Sequence, residues 1–374
     1  MMSKLDVIPR DVLEKIRPYV PGKPQEELKR ELGIARSIKI ASNENPLGPS
    51  KKAAVAVRKA IRKINRYPDP DCFNLRRLLA SRLGVGQDSL MASNGSDEII
   101  VLTLRAFVNE GDEVIVAFPT FLIFEIQSIA QGARVVKVPL KNFRYDLSAM
   151  LSKISSKTKV IFIANPDNPT GTYVTKTELD AFIEAVPENI IIYLDEAYVE
   201  FVDEKDFPQS LEYLARKRNI IITRTFSKIY GLAGLRVGYA VAAPGLIGYL
   251  NKVREPFNVN SLAQAAACAA LKDKRHVENT KQLIKEQKNI LYGTFDSLKL
   301  MYVPSATNFI LVDTGFDGVT VFNELLKKGV IVRDMKPYML GTWIRVTIGT
   351  LHENRRFIRT FKEVLTVLRG EKQI

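Results

Sequence analysis

Seven short apolar runs, at residues 90–92, 114–118, 135–138, 160–164, 190–194, 220–223 and 237–241, constrain this chain more than any other feature. Several are unbroken, such as Ile190-Ile191-Ile192-Tyr193-Leu194, and rich in β-branched or aromatic residues. Strands of that kind need cover on both faces. Helical stretches separate the runs. The combination predicts an α/β fold, a mostly parallel, doubly wound sheet with helices on either side. In such sheets ligands sit beyond the carboxyl ends of the strands. The residues that directly follow each run are therefore the ones to read for chemistry.

At 374 residues the chain has room for two domains. Residues 1–36 read as an N-terminal arm, because Pro18, Pro21 and Pro24 forbid helix or central strand until a short helix at 25–32 stops at Gly33. Residues 37–255 form the large domain. From 256 to 374 the character shifts to a smaller α+β domain. It has an Ala-rich helix at 261–271, a charged helix at 277–291, and strands near 308–312, 330–332 and 343–348. No apolar run reaches the ~18 residues of a membrane span. The first residues, Met1 to Arg10, lack the apolar segment of a signal peptide. Cys72 and Cys268 are the only cysteines, which fits a reducing cytoplasm. With only His276 and His352, neither in a ligand-like spacing, no metal site is expected.

The net charge of +14 points toward an anionic partner. Its densest segment, residues 51–63, spaces its lysines and arginines as one face of a helix built around Ala54, Val55, Val57 and Ile61. No nucleic-acid-binding motif accompanies it, so small anionic molecules are favoured.

The ends of the runs carry a consistent chemistry. Ser93-Asn94-Gly95-Ser96-Asp97-Glu98 follows the first run and opens an apolar helix. Glycine and serine there leave backbone N–H groups at the positive helix end for a phosphate, although simple capping by Asn94 or Ser96 uses the same residues. In Phe118-Pro119-Thr120-Phe121, the Phe121 ring can stack on a flat ligand or fill the core. Asn165-Pro166-Asp167-Asn168-Pro169-Thr170-Gly171 is turn-rich and brings the Asn168 amide to the sheet edge. Asp195 ends the most apolar run, where a carboxylate is costly without a cation. A protonated pyridine nitrogen is one such cation, and Tyr198 can reach the same ring. Lys228 lies 33 residues after Asp195, with Thr225, Ser227 and Arg236 around it. A desolvated lysine beside another cation becomes nucleophilic, whereas a solvated loop lysine does not.

In this order the segments resemble the fold-type I pyridoxal-phosphate aminotransferases, and most specifically the histidinol-phosphate aminotransferase family. The likeness extends through Arg17-Pro18-Tyr19, Ser42-Asn43-Glu44-Asn45-Pro46, Tyr67-Pro68-Asp69, Gly234-Leu235-Arg236 and Arg345-Val346-Thr347-Ile348-Gly349. The resemblance implies pyridoxal 5'-phosphate held as a Schiff base on Lys228, which also shuttles the proton. It gives Asp195 to the pyridine nitrogen and Asn168 and Tyr198 to the ring oxygen. Gly95, Ser96, the backbone of Asp97, Thr225, Ser227 and Arg236 would hold the cofactor phosphate. Tyr67 would reach that phosphate from a second subunit, which implies a homodimer. One position departs from the family: the stacking residue, usually tyrosine, is Phe121, which keeps the ring and loses the hydroxyl.

The strand at 343–348 places Ile344, Val346 and Ile348 on one face and Arg345 on the other, and Arg333 ends its strand opposite Val332. Two arginines facing the cofactor can grip an anion bidentately. In the family such residues, with Tyr19 and Asn43, bind substrate. The expected reaction moves an amino group between glutamate/2-oxoglutarate and histidinol phosphate/imidazole-acetol phosphate. An aromatic amino-acid aminotransferase and a threonine-phosphate decarboxylase-like enzyme share the scaffold. A cofactor-binding DNA regulator would need an added helix-turn-helix segment, which is not evident.

Overall fold

The computed structural model describes residues 7–34, 36–216 and 219–371. The expectations for residues 1–6 and 35 of the arm and for 372–374 lie outside them. All seven apolar runs are strands of one sheet: β1 (Leu90–Ser93), β2 (Glu113–Phe118), β3 (Arg134–Pro139), β4 (Thr158–Ala164), β5 (Ile191–Asp195), β6 (Ile220–Thr225) and β7 (Gly238–Ala242). Their order across the sheet is β1-β7-β6-β5-β4-β2-β3. β7 pairs antiparallel with both β1 and β6, and the remaining pairs are parallel.

The reason for two-sided apolarity is visible in the core. Ile161 and Ile163 of β4 join one hydrophobic cluster, while Val160, Phe162 and Ala164 join another on the opposite face. Alternate side chains of a strand point to opposite faces, so a sheet buried twice needs every position apolar. Among the described residues no helix is long and apolar enough to cross a membrane.

A second, antiparallel sheet follows in the chain: β8 (Tyr302–Val303), β9 (Phe309–Asp313), β10 (Arg333–Asp334) and β11 (Trp343–Thr347), in the order β10-β11-β9-β8. The charged helix is longer than its sequence period suggests, running Lys274–Ser297. The run at 330–332 is not a single strand. Val330–Ile331 pairs in parallel with Ile38–Lys39, and the chain then turns so that Arg333 enters the four-stranded sheet. Residues 38–43 are thereby laid along β11, where the Thr347 N–H donates to the Ile40 carbonyl at 2.9 Å.

Two local expectations need correction. The helix Lys51–Ala60 buries Ala53, whereas Val55 and Ile61 stay about half exposed. It packs on the Ala-rich helix Ser261–Leu271, whose small side chains admit a close approach, and this turns Val55 outward. The helix Ser96–Phe107 has no side-chain cap: its N-cap is Gly95, with φ of 80°. Capping by Asn94 or Ser96 is therefore not what those residues do.

Candidate active site

The carboxyl ends of β1, β4, β5 and β6 converge on a cavity of about 430 Å³. Register explains the convergence. Ala164 lies opposite Asp195, Asp195 opposite Thr223, and Gly238 stands between Ser93 and Thr225. Because β7 runs antiparallel, its start lies at the same edge, so Arg236, just before it, faces the same space as residues that end parallel strands. The approach is tight: a Cβ on Gly238 would stand 2.6 Å from the Ser96 nitrogen.

One end of the cavity is lined by Ser96, Asp97, Thr225, Ser227 and Arg236. Arg236 has φ of 54°. Its Nη1 donates to the Ser227 hydroxyl at 3.3 Å, and its Nη2 lies 3.4 Å from Asp97 Oδ2. The Ser227 N–H donates to Thr225 Oγ1 at 3.1 Å. Gly95 is behind the wall, where any side chain would collide with the Arg236 guanidinium. Uncapped helix N–H groups, two hydroxyls and a guanidinium make a cradle for a phosphate.

The middle of the cavity holds Asp195, which is buried, and Lys228, which is half-buried. The Ala197 N–H donates to Asp195 Oδ1 at 3.1 Å. Among the described residues no cation forms an ion pair with the carboxylate. Burial, with Asp97 nearby, accordingly pushes its carboxyl up to about 7. Burial, with the Arg345 charge nearby, pushes the Lys228 ammonium down to about 8. Its Nζ donates to the Ser42 carbonyl at 3.2 Å and lies 5.6 Å from the centre of the Tyr198 ring. A buried carboxylate short of a cation suits a protonated pyridine nitrogen, and an amine titrating near neutrality suits attack on an aldehyde. Phe121 forms a neighbouring wall, edge-on to Phe124 with ring centres 5.6 Å apart. These residues fit pyridoxal phosphate.

At the other end, Arg333 and Arg345 are directly paired across β10 and β11, each about 5% exposed. Among the described residues neither forms a salt bridge with a carboxylate. Arg345 Nη1 donates to Asn168 Oδ1, and Nη2 donates to the Ala41 carbonyl at 2.9 Å. Arg333 lies over the Tyr19 ring, 5.6 Å from its centre. Asn43, with φ of 56°, donates from Nδ2 to the Tyr198 hydroxyl at 2.8 Å.

Fourteen of the sixteen residues singled out from sequence line this one cavity, with Gly95 directly behind it. Tyr67 is the exception: it stands 82% exposed and stacks on Phe257, ring centres 4.6 Å apart. Sequence reasoning also passed over Ser42, which receives the lysine amine, and Thr347, which hydrogen-bonds Asn43. The only sequence signal for Thr347 is its position two residues after Arg345, on the same strand face.

Residues 35–361 match the model of the family described as aminotransferase class I and II. A histidinol-phosphate aminotransferase of Moorella thermoacetica is 51% identical over 95% of this chain and 92% of its own length. One from Caldicellulosiruptor saccharolyticus is 45% identical over 95% and 99%. The crystal structure of histidinol-phosphate aminotransferase from Sinorhizobium meliloti in complex with pyridoxal-5'-phosphate superimposes with a TM-score of 0.90 at 30% identity, covering 98% of this chain and 100% of that one. The chain belongs to the class I and II aminotransferases, and its α/β fold is that of the family's pyridoxal-phosphate-dependent members.

Proposed function

We propose that the protein is a cytoplasmic, homodimeric histidinol-phosphate aminotransferase using glutamate/2-oxoglutarate as the second substrate pair. The observation that carries the substrate class is the Arg333–Arg345 pair. Like charges directly opposite on neighbouring strands repel, and here they are buried without a carboxylate. An anionic substrate group at the cavity mouth would offset that cost. The arginine fork accepts phosphate and carboxylate alike, which one site must do to alternate between histidinol phosphate and glutamate.

When bound, pyridoxal phosphate supplies an electrophilic carbon and an electron-accepting ring. The chain does the rest. Ser96, the backbone N–H of Asp97, Thr225, Ser227 and Arg236 would hold the phosphate end, with Gly95 giving Arg236 its space. Phe121 would pack against the ring, and Asp195 would hold a proton on the ring nitrogen. Asn168, whose oxygen accepts from Arg345, would offer its Nδ2 to the ring oxygen, as Tyr198 would its hydroxyl. Lys228 Nζ would hold the cofactor and is the base placed to move a proton at the substrate carbon. Arg333, Arg345, Asn43 and Tyr19 orient the substrate. Tyr67, exposed in the single chain, serves the partner's site.

Single-turnover conversion of the bound cofactor by histidinol phosphate, histidinol, glutamate and phenylalanine tests the proposal. Histidinol phosphate and glutamate are expected to react fastest. A preference for phenylalanine over histidinol phosphate overturns the substrate assignment.

A further inference from the structure

Thr347 touches neither the cavity nor any group expected to react, yet it controls the direction of a hydrogen-bond chain that ends in the cavity. Thr347 and Asn43 are both buried, and residues 40–43 lie along the strand that carries Arg345. The backbone N–H of Asn43 donates to Thr347 Oγ1 at 2.9 Å. A backbone N–H has no other role open to it, so the single hydroxyl proton of Thr347 must go elsewhere. It goes to Asn43 Oδ1 at 3.0 Å. That choice fixes the amide: its oxygen faces Thr347 and its Nδ2 faces Tyr198, donating to the hydroxyl at 2.8 Å. In the flipped amide, two donors would meet at Thr347 and its buried proton would lack an acceptor.

The consequence falls on Tyr198. Burial pushes its hydroxyl well above the usual tyrosine range, so it carries one proton. Because the oxygen already accepts from Asn43, that proton is directed away from Asn43, into the cavity that Tyr198 lines beside Lys228. We infer that Thr347 is a positioning residue that, through Asn43, sets the Tyr198 hydroxyl as a donor to the cofactor's ring oxygen and couples it to the Arg345 strand. The inference rests on the cofactor reading above. The strand link is short: Arg345 and Thr347 lie two residues apart on one face, and Arg345 also holds the Ala41 carbonyl, two residues before Asn43.

Thr347→Val removes the hydroxyl at nearly constant volume, and Thr347→Ser keeps it; Thr347→Ala serves if valine fails to fold. A donor on the ring oxygen weakens that oxygen's hold on the proton beside it. Losing the donor should therefore move the pH midpoint of the bound cofactor's absorbance upward by about half to one unit in Thr347→Val. Thr347→Ser should restore the wild-type midpoint, and Thr347→Val should add nothing in a Tyr198→Phe background. In the cofactor-free protein, the Asn43 side-chain amide should exchange slowly with solvent in wild type and Thr347→Ser, and quickly in Thr347→Val. An unchanged midpoint, or equal shifts with and without Tyr198, overturns the inference. Absence of any cofactor absorbance from the wild type would instead count against the cofactor reading, and the amide exchange would still decide the role of Thr347.

Discussion

Burial moves the Asp195 carboxyl up to about 7 and the Lys228 ammonium down to about 8, and both shifts tax the cofactor-free protein near neutrality. Asp195 binds its proton more tightly folded than unfolded, where the ordinary value is 3.8. Its contribution to stability is therefore full in acid and lost as pH rises from about 4 to about 7. Lys228 works the other way: its contribution is present in strong alkali and lost as pH falls from 10.5 toward 8. Asp195→Asn should thus raise the melting temperature of cofactor-free protein by about 3 °C or more at pH 8, and by only about a quarter as much near pH 4.5. Calorimetry at the two pH values checks this. An equal effect at both would show that the carboxylate is not strained by charge burial. With cofactor bound, the same variant should lose about a hundredfold or more in turnover, because the ring nitrogen no longer keeps its proton. Stabilised when empty and impaired when loaded is the signature of a group held ready for a cation.

The strand pair β10/β11 carries the substrate argument at the next scale. Arg333→Ala relieves a cross-strand repulsion but removes a charged donor from the anion, an interaction typically worth ~1.5–3 kcal/mol. It should lower kcat/KM for histidinol phosphate about tenfold or more, with a smaller loss for glutamate. Arg345→Ala, which also frees Asn168 and the Ala41 carbonyl, should lower both half-reactions. Equal losses for both substrates in Arg333→Ala would remove its phosphate preference. This scale also shows what the sequence could and could not say. The apolar runs were legible because a sheet buried on both faces leaves no polar position, and the strand-end residues followed from the runs. The reversed direction of β7 was not legible, since strand periodicity carries no sense of direction. Nor was the chain's change of sheet between Ile331 and Arg333, which depends on pairing with Ile38–Lys39. Asn43 and Thr347 are 304 positions apart, so no local pattern reports their bond.

At the scale of the whole molecule, one expected residue has no site in its own chain. Tyr67 is 82% exposed, and Ile61, Ile64 and Phe73 nearby in sequence are each more than half exposed. Four large apolar side chains face water within one stretch of 13 residues, 61–73, which fits the proposed homodimer, in which a partner would cover them. The stretch follows the helix Lys51–Ala60, whose Val55 also faces outward. A second copy supplying Tyr67 to the phosphate cradle would account for both the exposure and the missing residue. Subunit mixing separates this from a surface role. Lys228→Ala alone should leave folded protein in which borohydride fixes no cofactor. Tyr67→Phe alone should weaken cofactor affinity, by about 0.5–1.5 kcal/mol for one lost hydrogen bond. In a hybrid dimer of the two variants, one site receives Lys228 from its own chain and Tyr67 from the other, and is intact; the second site carries both lesions. Assayed at limiting cofactor, the purified hybrid should recover about half the wild-type activity per dimer, with wild-type affinity at the surviving site. If the surviving site instead binds cofactor as weakly as the Tyr67→Phe homodimer, Tyr67 acts within its own chain. Sedimentation of the wild type as a monomer would remove the dimer altogether.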